Sequence, residues 1–146
     1  MIANGKTHRI VLTGGPGAGK TTAADLFRRE IGDDIVIVPE AATMLFSGGF
    51  PRVKTDFARE ATQKAIYYLQ CSLEDVQKAS FPNRVLLCDR GTLDSCIYWP
   101  GGSNSFLEEV NSNFEKEIQR YDAVVFFETA AVGSIGIEGG NPTRNE

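Results

Sequence analysis

The chain has 146 residues, of which 42% are hydrophobic and 23% are charged, and its formal net charge is −4. This length fits one domain with its own core, residues 1–146, and the composition excludes a disordered scaffold. The acidic balance disfavours nucleic acid as a partner, since such binding needs a concentrated basic surface. The longest apolar runs are only strand-sized, so we expect no integral membrane segment.

Cysteine and histidine chemistry is also disfavoured. The chain has three cysteines and one histidine, His8, and the cysteines show no C-x-x-C spacing. A disulfide framework or a zinc site does not fit this pattern, and a reducing cytoplasm does.

The first half of the chain alternates strand and helix patterns. Apolar strands are predicted at 9–13 and 35–38, separated by glycines and a helix that stops at Gly32. The stretch 41–54 is typical of a short helical piece and a glycine-containing loop. A long amphipathic helix is predicted to begin near Thr55 or Asp56.

The second half continues the alternation. A strand is predicted at 85–88, and a short helix from Leu93 to about Trp99. The S-x-x-E pattern from Ser105 to Glu108 predicts a capping box that opens one helix running to Ile118. A fourth strand follows at 124–127. The β-α-β-α-β-α-β order predicts an α/β fold with three layers, a parallel sheet covered by helices on both faces.

A complete phosphate-binding motif lies between the first strand and the first helix. The run GGPGAGKT matches G-x-x-x-x-G-K-[ST], in which backbone N–H groups surround phosphates and the lysine reaches the β and γ phosphates. We therefore predict binding of a nucleoside triphosphate, ATP or GTP, with Mg²⁺. The predicted contacts are Gly14, Gly15, Pro16, Gly17, Ala18, Gly19, Lys20, Thr21 and Thr22.

Two residues, one in the motif and one after the third strand, are predicted to hold the metal ion. Thr21 supplies a hydroxyl, and Asp89, directly after the third strand, supplies a carboxylate. Asp89 as a cap of the next helix is the alternative. The adjacent Arg90 fits either charge neutralisation at the phosphates or a structural ion pair.

Further polar residues are predicted to line a substrate site. Glu40 follows the second strand, so it shares a sheet edge with the phosphate loop and Asp89, and its carboxylate could accept the proton of an attacking hydroxyl. An exposed acid at a helix start is the alternative. Arg52 fits a clamp for a substrate anion or an ordinary surface arginine. Asp94 either faces the same cleft or is a solvated first-turn acid.

Together these segments resemble the P-loop kinase group and, more narrowly, the NadR-like AAA domain family. That family includes bacterial ribosylnicotinamide kinase domains and an animal branch linked to TRP-channel trafficking. The resemblance rests on six segments: TGGPGAGKTT, VPEAA, SGGFPR, CDRGTLD, FFETA and NPTRNE. It implies a sheet of order 2-3-1-4-5 and a lid, here 131–146, in which Arg144 is the lid arginine.

The resemblance also implies that this domain is C-terminally incomplete. Family members continue past the lid with a helix, a fifth strand and a closing helix, and this sequence stops within the lid segment. We therefore expect strand 124–127 to be an uncovered, hydrophobic edge.

The predicted function is phosphoryl transfer to a small hydroxyl-bearing metabolite, a nucleoside or ribosylnicotinamide-like compound. In this reading Lys20, Glu40, Asp89, Arg90 and Arg144 are catalytic. The alternative is a nucleotide-dependent switch that binds a protein or lipid partner, and a nucleotide-binding remnant without turnover is a third possibility.

Overall fold

The structure is a computed structural model that describes residues 8–15 and 19–128. The four strands are β1 His8–Gly14, β2 Ile35–Val38, β3 Val85–Asp89 and β4 Ala123–Phe127. The α-helices are α1 Lys20–Ile31, α2 Ala41–Ser47, α3 Asp56–Ser80, α4 Ser103–Glu109 and α5 Phe114–Gln119. Residues 8–15 and 19–128 also contain two 3-10 segments, Gly32–Asp34 and Thr92–Tyr98.

All four strands form one parallel sheet in the order β2-β3-β1-β4. This confirms the α/β fold and the order 2-3-1-4. The apolar runs become strands because residues with buried side chains occupy the sheet centre: Leu12, Leu86 and Cys88 have no exposed surface. The parallel arrangement brings the carboxyl ends of β1, β2 and β3 to one edge, where the candidate site lies.

Strand β4 forms one edge of the sheet among the described residues. Its side chains are largely exposed, with Val124 at 62% and Phe126 at 68% of full exposure. The expected uncovered hydrophobic edge is present within the described part of the chain. The lid segment 131–146, including Arg144, lies outside the described residues.

The predicted helix between residues 105 and 118 is wrong. The structure has two helices there, because Asn111 adopts a left-handed conformation with φ 55° and the Asn113 side chain caps α5 by accepting from the N–H of Lys116 at 2.9 Å.

The predicted capping box at Ser105–Glu108 is also wrong. Helix α4 begins earlier, after Gly102, and has no side-chain cap. The Ser105 hydroxyl instead accepts a hydrogen bond from Trp99 Nε1 at 3.1 Å. The short helix predicted from Leu93 to about Trp99 is a 3-10 helix.

Candidate functional site

The phosphate loop connects β1 to α1 as predicted. Gly19, immediately before α1, has φ 88°, in the left-handed region that glycine adopts without steric cost. Among the described side chains none caps the N-terminus of α1, and the first turn contains no acidic residue. The first backbone N–H groups of the helix are thus available to an anion. Pro16, Gly17, Ala18 and the Thr21 side chain lie outside the described residues.

Gly14 is required for a separate reason, the approach of β4. Its φ is 142°, and a Cβ atom placed there would lie 2.1 Å from the Phe127 carbonyl oxygen. Gly14 pairs with Phe127 in the register of β1 and β4. The start of the phosphate loop is therefore packed directly against the end of β4.

Asp89 ends β3 beside the strand that leads into the phosphate loop. It pairs with Leu12 in the β1–β3 register, two residues before Gly14, and its side chain is half-buried. The next residue, Arg90, donates its backbone N–H to the Leu12 carbonyl at 2.9 Å and has φ 76°. This left-handed turn directs the chain away from the sheet immediately after Asp89.

Arg90, Glu40 and Asp94 form one charged cluster. Arg90 Nε lies 2.7 Å from Glu40 Oε2, and Arg90 Nη1 lies 3.7 Å from Asp94 Oδ1. Thr43 donates its hydroxyl to the other oxygen of Glu40. The ends of β2 and β3 are thus joined by an arginine–carboxylate pair, and Glu40 is oriented from both sides.

Asp94 connects this cluster to the phosphate loop. Its Oδ1 accepts from the hydroxyl of Thr13, the residue before Gly14, at 2.5 Å, and its Oδ2 accepts from the N–H of Gly91 at 2.6 Å. Asp94 lies in the first turn of the 3-10 helix, and its largely buried side chain is at the cleft. One carboxylate therefore ties the base of the phosphate loop to the loop that follows β3.

A cavity of about 320 Å³ opens beside this cluster. Its lining includes four predicted site residues, Glu40, Arg52, Arg90 and Asp94. The remaining lining residues are Ala41, Ala42, Thr43, Phe46, Gln63, Ile66, Gln70, Gly91, Ser95 and Tyr98. The cavity combines apolar walls with a few converging polar groups, the usual composition of a small-molecule site.

Arg52 lies in the cavity wall on the ring of Phe46. Its guanidinium carbon lies 3.9 Å from the ring centroid, a cation–π contact. Within the part of the chain that the structure describes, Arg52 makes no ion pair with a carboxylate. Its cationic head is available to an anionic group in the cavity.

A second, more open groove of about 600 Å³ follows the outer edge of β2. It is lined by Arg28, Arg29, Arg84 and Phe81 among others, and by none of the predicted site residues. Although this groove is larger, the 320 Å³ cavity is the candidate site because it contains the converging acids and bases at the carboxyl edge of the sheet.

A buried carboxylate that is hydrogen-bonded to the elements carrying the site was not identified from the sequence. Glu74 on α3 has no exposed surface and accepts hydrogen bonds from four side chains. The donors are Arg9 Nη1 at 3.1 Å, Arg120 Nη2 at 2.9 Å, Gln70 Nε2 at 2.8 Å and the Tyr121 hydroxyl at 2.6 Å. The one signal in the sequence was an acidic residue at position 74, close to the apolar stripe of an amphipathic helix.

Tyr121 extends that support to the loop after β3. Its hydroxyl donates to Glu74 and accepts from the backbone N–H of Thr92 at 2.9 Å. The Tyr121 ring also packs against Gly91, where an added Cβ would lie 3.3 Å from the ring. The loop carrying Arg90 is therefore attached to a fully buried ionic group.

The residues present fit a magnesium–nucleotide complex. A hydroxyl at Thr21, a carboxylate at Asp89 and phosphate oxygens are all hard oxygen ligands, which Mg²⁺ prefers. Within residues 8–15 and 19–128, no three His, Cys, Asp or Glu side chains form a metal-binding group. Among the helices of those residues, none is long and apolar enough to cross a membrane.

Comparison with solved structures returns matches of low similarity. One is an APS kinase of Mycobacterium tuberculosis, a structure of a point variant, with 13% identity and a TM-score of 0.43 over 85% of this chain and 77% of that one. Another is a chain of the Pnkp1/Rnl/Hen1 complex, with 17% identity and a TM-score of 0.44 over 97% of this chain and 43% of that one. No curated protein matches the sequence significantly.

The family comparison covers most of the chain. A family model described as an AAA domain matches residues 9–141, which include β1 from its second residue onward, the phosphate loop, the Glu40–Arg90 cluster and β4. With a complete phosphate-loop motif between a buried central strand and a helix, the chain belongs to this AAA domain family of P-loop nucleotide-binding domains.

Proposed function

We propose that the protein is a magnesium-dependent phosphotransferase that moves the γ-phosphoryl group of ATP or GTP to a hydroxyl of a small metabolite. The observation that supports this most directly is the 320 Å³ cavity, which one carboxylate, Asp94, links to the phosphate loop through Thr13. A cavity with converging polar groups, linked in this way to the phosphate loop, is suited to a second, phosphate-accepting substrate.

Each site residue has a proposed part in the transfer. Lys20 and the loop amides bind the phosphates and stabilise the charge that develops on the transferring group. Mg²⁺, when bound, neutralises phosphate charge, and Thr21 and Asp89 are its proposed ligands. Arg90 and the lid residue Arg144 are proposed to offset further charge.

Glu40 is the proposed general base. The acceptor oxygen attacks the γ phosphorus, the bond from that phosphorus to the β-phosphate oxygen breaks, and the acceptor proton passes to the Glu40 carboxylate. The hydrogen bonds from Arg90 and Thr43 fix its orientation, and each carboxylate oxygen retains a lone pair for the acceptor hydroxyl.

The proposed acceptor is a nucleoside or a ribosylnicotinamide-like compound. The cavity volume suits a molecule of that size, and the walls formed by Phe46, Ile66 and Tyr98 suit a flat, partly apolar body. The proposal also follows the resemblance to the NadR-like family, whose bacterial members phosphorylate ribosylnicotinamide.

The first experiment measures nucleotide affinity of the Lys20→Ala variant by titration with ATP and GTP in the presence of Mg²⁺. We expect a loss of about 10- to 100-fold, since the lysine makes a charge-assisted contact with the phosphates. Unchanged affinity for both nucleotides would show that the loop does not bind triphosphate as proposed.

The second experiment separates transfer from a switch function. Purified protein is incubated with labelled ATP or GTP and a panel of nucleosides and metabolites, and both phosphoryl transfer and bare hydrolysis are recorded. Glu40→Gln should reduce transfer by about 10²- to 10⁴-fold and leave nucleotide affinity intact. The matched control is Glu108→Gln, an exposed position on α4. Slow hydrolysis that is insensitive to Glu40, with no acceptor used, would favour the switch.

A further inference from the structure

Gln70 is the most deeply buried polar side chain in the wall of the cavity. It lies on α3 with Gln63 and Ile66, at spacings of three, four and seven residues that place all three on one helix face toward the cavity. Gln70 is only 2% exposed, whereas Gln63 is half-buried. The two glutamines therefore present the same chemistry to the cavity at different depths.

The orientation of the Gln70 amide is fixed by Glu74. Gln70 Nε2 donates to Glu74 Oε2 at 2.8 Å, and the Tyr121 hydroxyl donates to the same oxygen. Rotation of the amide by 180° would place the Gln70 carbonyl oxygen against that carboxylate oxygen. A carboxylate accepts but does not donate, so this alternative is excluded.

The carbonyl oxygen Oε1 is therefore the amide atom turned away from Glu74. Among the described residues it accepts no hydrogen bond, although the side chain is almost fully enclosed. The oxygen is not among the fully buried, unpaired polar atoms of the described residues, so it is accessible from the cavity. A ligand that displaces water from it must supply a donor, because leaving the acceptor unpaired has a substantial free-energy cost. An oxygen with this geometry in a cavity wall is suited to a donor brought by a ligand.

We propose that Gln70 is a specificity-determining residue of the acceptor site, whose carbonyl oxygen selects molecules that place an N–H or O–H donor at the inner wall. This inference rests on the proposed acceptor role of the cavity. The matching class is a primary carboxamide, an amino-substituted heterocycle or a hydroxyl compound. Esters and fully N-alkylated analogues of the same shape leave the oxygen unpaired and are rejected.

The test uses matched probe pairs and measures binding rather than turnover. The pairs are adenosine with its doubly N-methylated form, cytidine with its doubly N-methylated form, and benzamide with N,N-dimethylbenzamide. Each is titrated against the protein saturated with ADP and Mg²⁺, and binding is followed by protein NMR. We expect at least one free N–H member to bind about 10-fold or more tightly than its methylated partner.

Two variants assign that preference to Gln70. In Gln70→Met, which keeps the length but removes the amide, the ratio within the pair should fall below about 3-fold. Gln70→Asn withdraws the carbonyl by one methylene and should give an intermediate ratio. The control is Gln63→Met on the same face, which should leave the ratio unchanged. Thermal unfolding and nucleotide affinity are measured for every variant, so that a folding defect is recognised.

The assignment is overturned if no pair is discriminated, if methylated members bind as well as the free ones, or if a folded Gln70→Met keeps the preference. These outcomes are separate from failure of the proposed function. If the protein transfers phosphate to no acceptor, probe binding still tests the role of Gln70. If the protein is an active enzyme but binds methylated and free probes equally, only the Gln70 assignment is contradicted.

Discussion

Arg90, and not the neighbouring Gly91, adopts the left-handed backbone conformation after β3. In an Asp-Arg-Gly sequence the glycine is the expected left-handed residue, yet Arg90 has φ 76° while Gly91 is extended, with φ −117° and ψ −177°. Gly91 is needed because a Cβ there would lie 3.1 Å from Val11 and 3.3 Å from Tyr121. Strain of about 1–3 kcal/mol at a non-glycine residue persists where the surroundings determine it, which is common at functional sites.

A first prediction concerns Gly14. Gly14→Ala should lower the free energy of unfolding by more than about 3 kcal/mol, because the added Cβ meets the Phe127 carbonyl and the backbone has φ 142°. Chemical denaturation measures the loss. β4 must move away from β1 to accommodate the methyl group, so nucleotide affinity should fall as well.

Gly32→Ala is the matched control for Gly14→Ala. Gly32 also has positive φ, 78°, but an added Cβ would contact nothing within 4 Å. Backbone strain alone, at φ 78° and ψ −134°, should then cost about 1–3 kcal/mol. Equal losses for the two variants would show that the approach of β4 is not what requires Gly14.

The candidate site was largely predictable where it depends on strand ends. Glu40 and Asp89 follow apolar runs, and parallel strands place their carboxyl ends together, so Glu40 and Arg90 meet at 2.7 Å although they are far apart in sequence. Gln70 and Tyr121 were not predictable in this way. Their roles depend on which side chain lies opposite, and helical periodicity marks a face without identifying its partners.

At the scale of elements, the division between α4 and α5 shows where the sequence prediction failed. Apolar residues at helical spacing continue through this region, so periodicity alone predicted one helix. The asparagines at 111 and 113 decide otherwise, one by adopting the left-handed conformation and one by capping α5. Both asparagines were visible in the sequence. Whether they interrupt a helix that the apolar spacing favours depends on how the segment packs, which the sequence does not show.

A second prediction concerns the attachment of the 3-10 helix Thr92–Tyr98 to the buried core. Tyr121→Phe removes the hydroxyl that accepts from Thr92 and donates to Glu74. We expect a loss of about 1–3 kcal/mol in the free energy of unfolding. Hydrogen exchange in a peptide containing residues 90–95 should also become faster, as measured by mass spectrometry.

Tyr67→Phe provides the matched control. Tyr67 is buried and, like Tyr121, donates its hydroxyl to a buried carboxylate, here Glu117 at 2.7 Å. Its loss should destabilise the protein to a similar extent without selectively exposing residues 90–95. If both variants change exchange there equally, Tyr121 does not hold that loop.

At the scale of the whole molecule, the sheet order is the part of the fold that periodicity could not provide. Apolar runs located all four strands, but the order 2-3-1-4 came from the family resemblance, since any permutation of parallel strands fits the same pattern. The structure confirms that order. The exposure of the β4 side chains, by contrast, depends on what covers the two faces of that strand, which hydrophobicity alone would not reveal.

A third prediction concerns stability at acid pH. Burial raises the pKa of Glu117, but the hydrogen bonds donated by the Ser112 and Tyr67 hydroxyls and the charge of Arg120 outweigh this effect, so the pKa lies below its usual value. A carboxylate with a lowered folded-state pKa contributes stability that is fully present above about pH 4.3. That contribution is lost as the pH falls through the folded-state pKa.

The measurement is the free energy of unfolding between pH 7 and pH 3. Wild-type stability should decline on acidification, and Glu117→Gln, which lacks the titrating group, should show a shallower decline over the same interval. The exposed Glu108→Gln variant should keep the wild-type slope. A Glu117→Gln curve parallel to that of the wild type would contradict the prediction.

The central position of β1 has a consequence for synthesis on the ribosome. β1 is the first strand to be made, yet both of its neighbours, β3 and β4, come from much later in the chain. The strand that leads into the phosphate loop must therefore wait, without sheet partners, until residues 85–89 and then 123–127 have emerged. Nucleotide can contribute to folding only at this late stage, so a nascent chain should become resistant to protease through added nucleotide only after β4 is available.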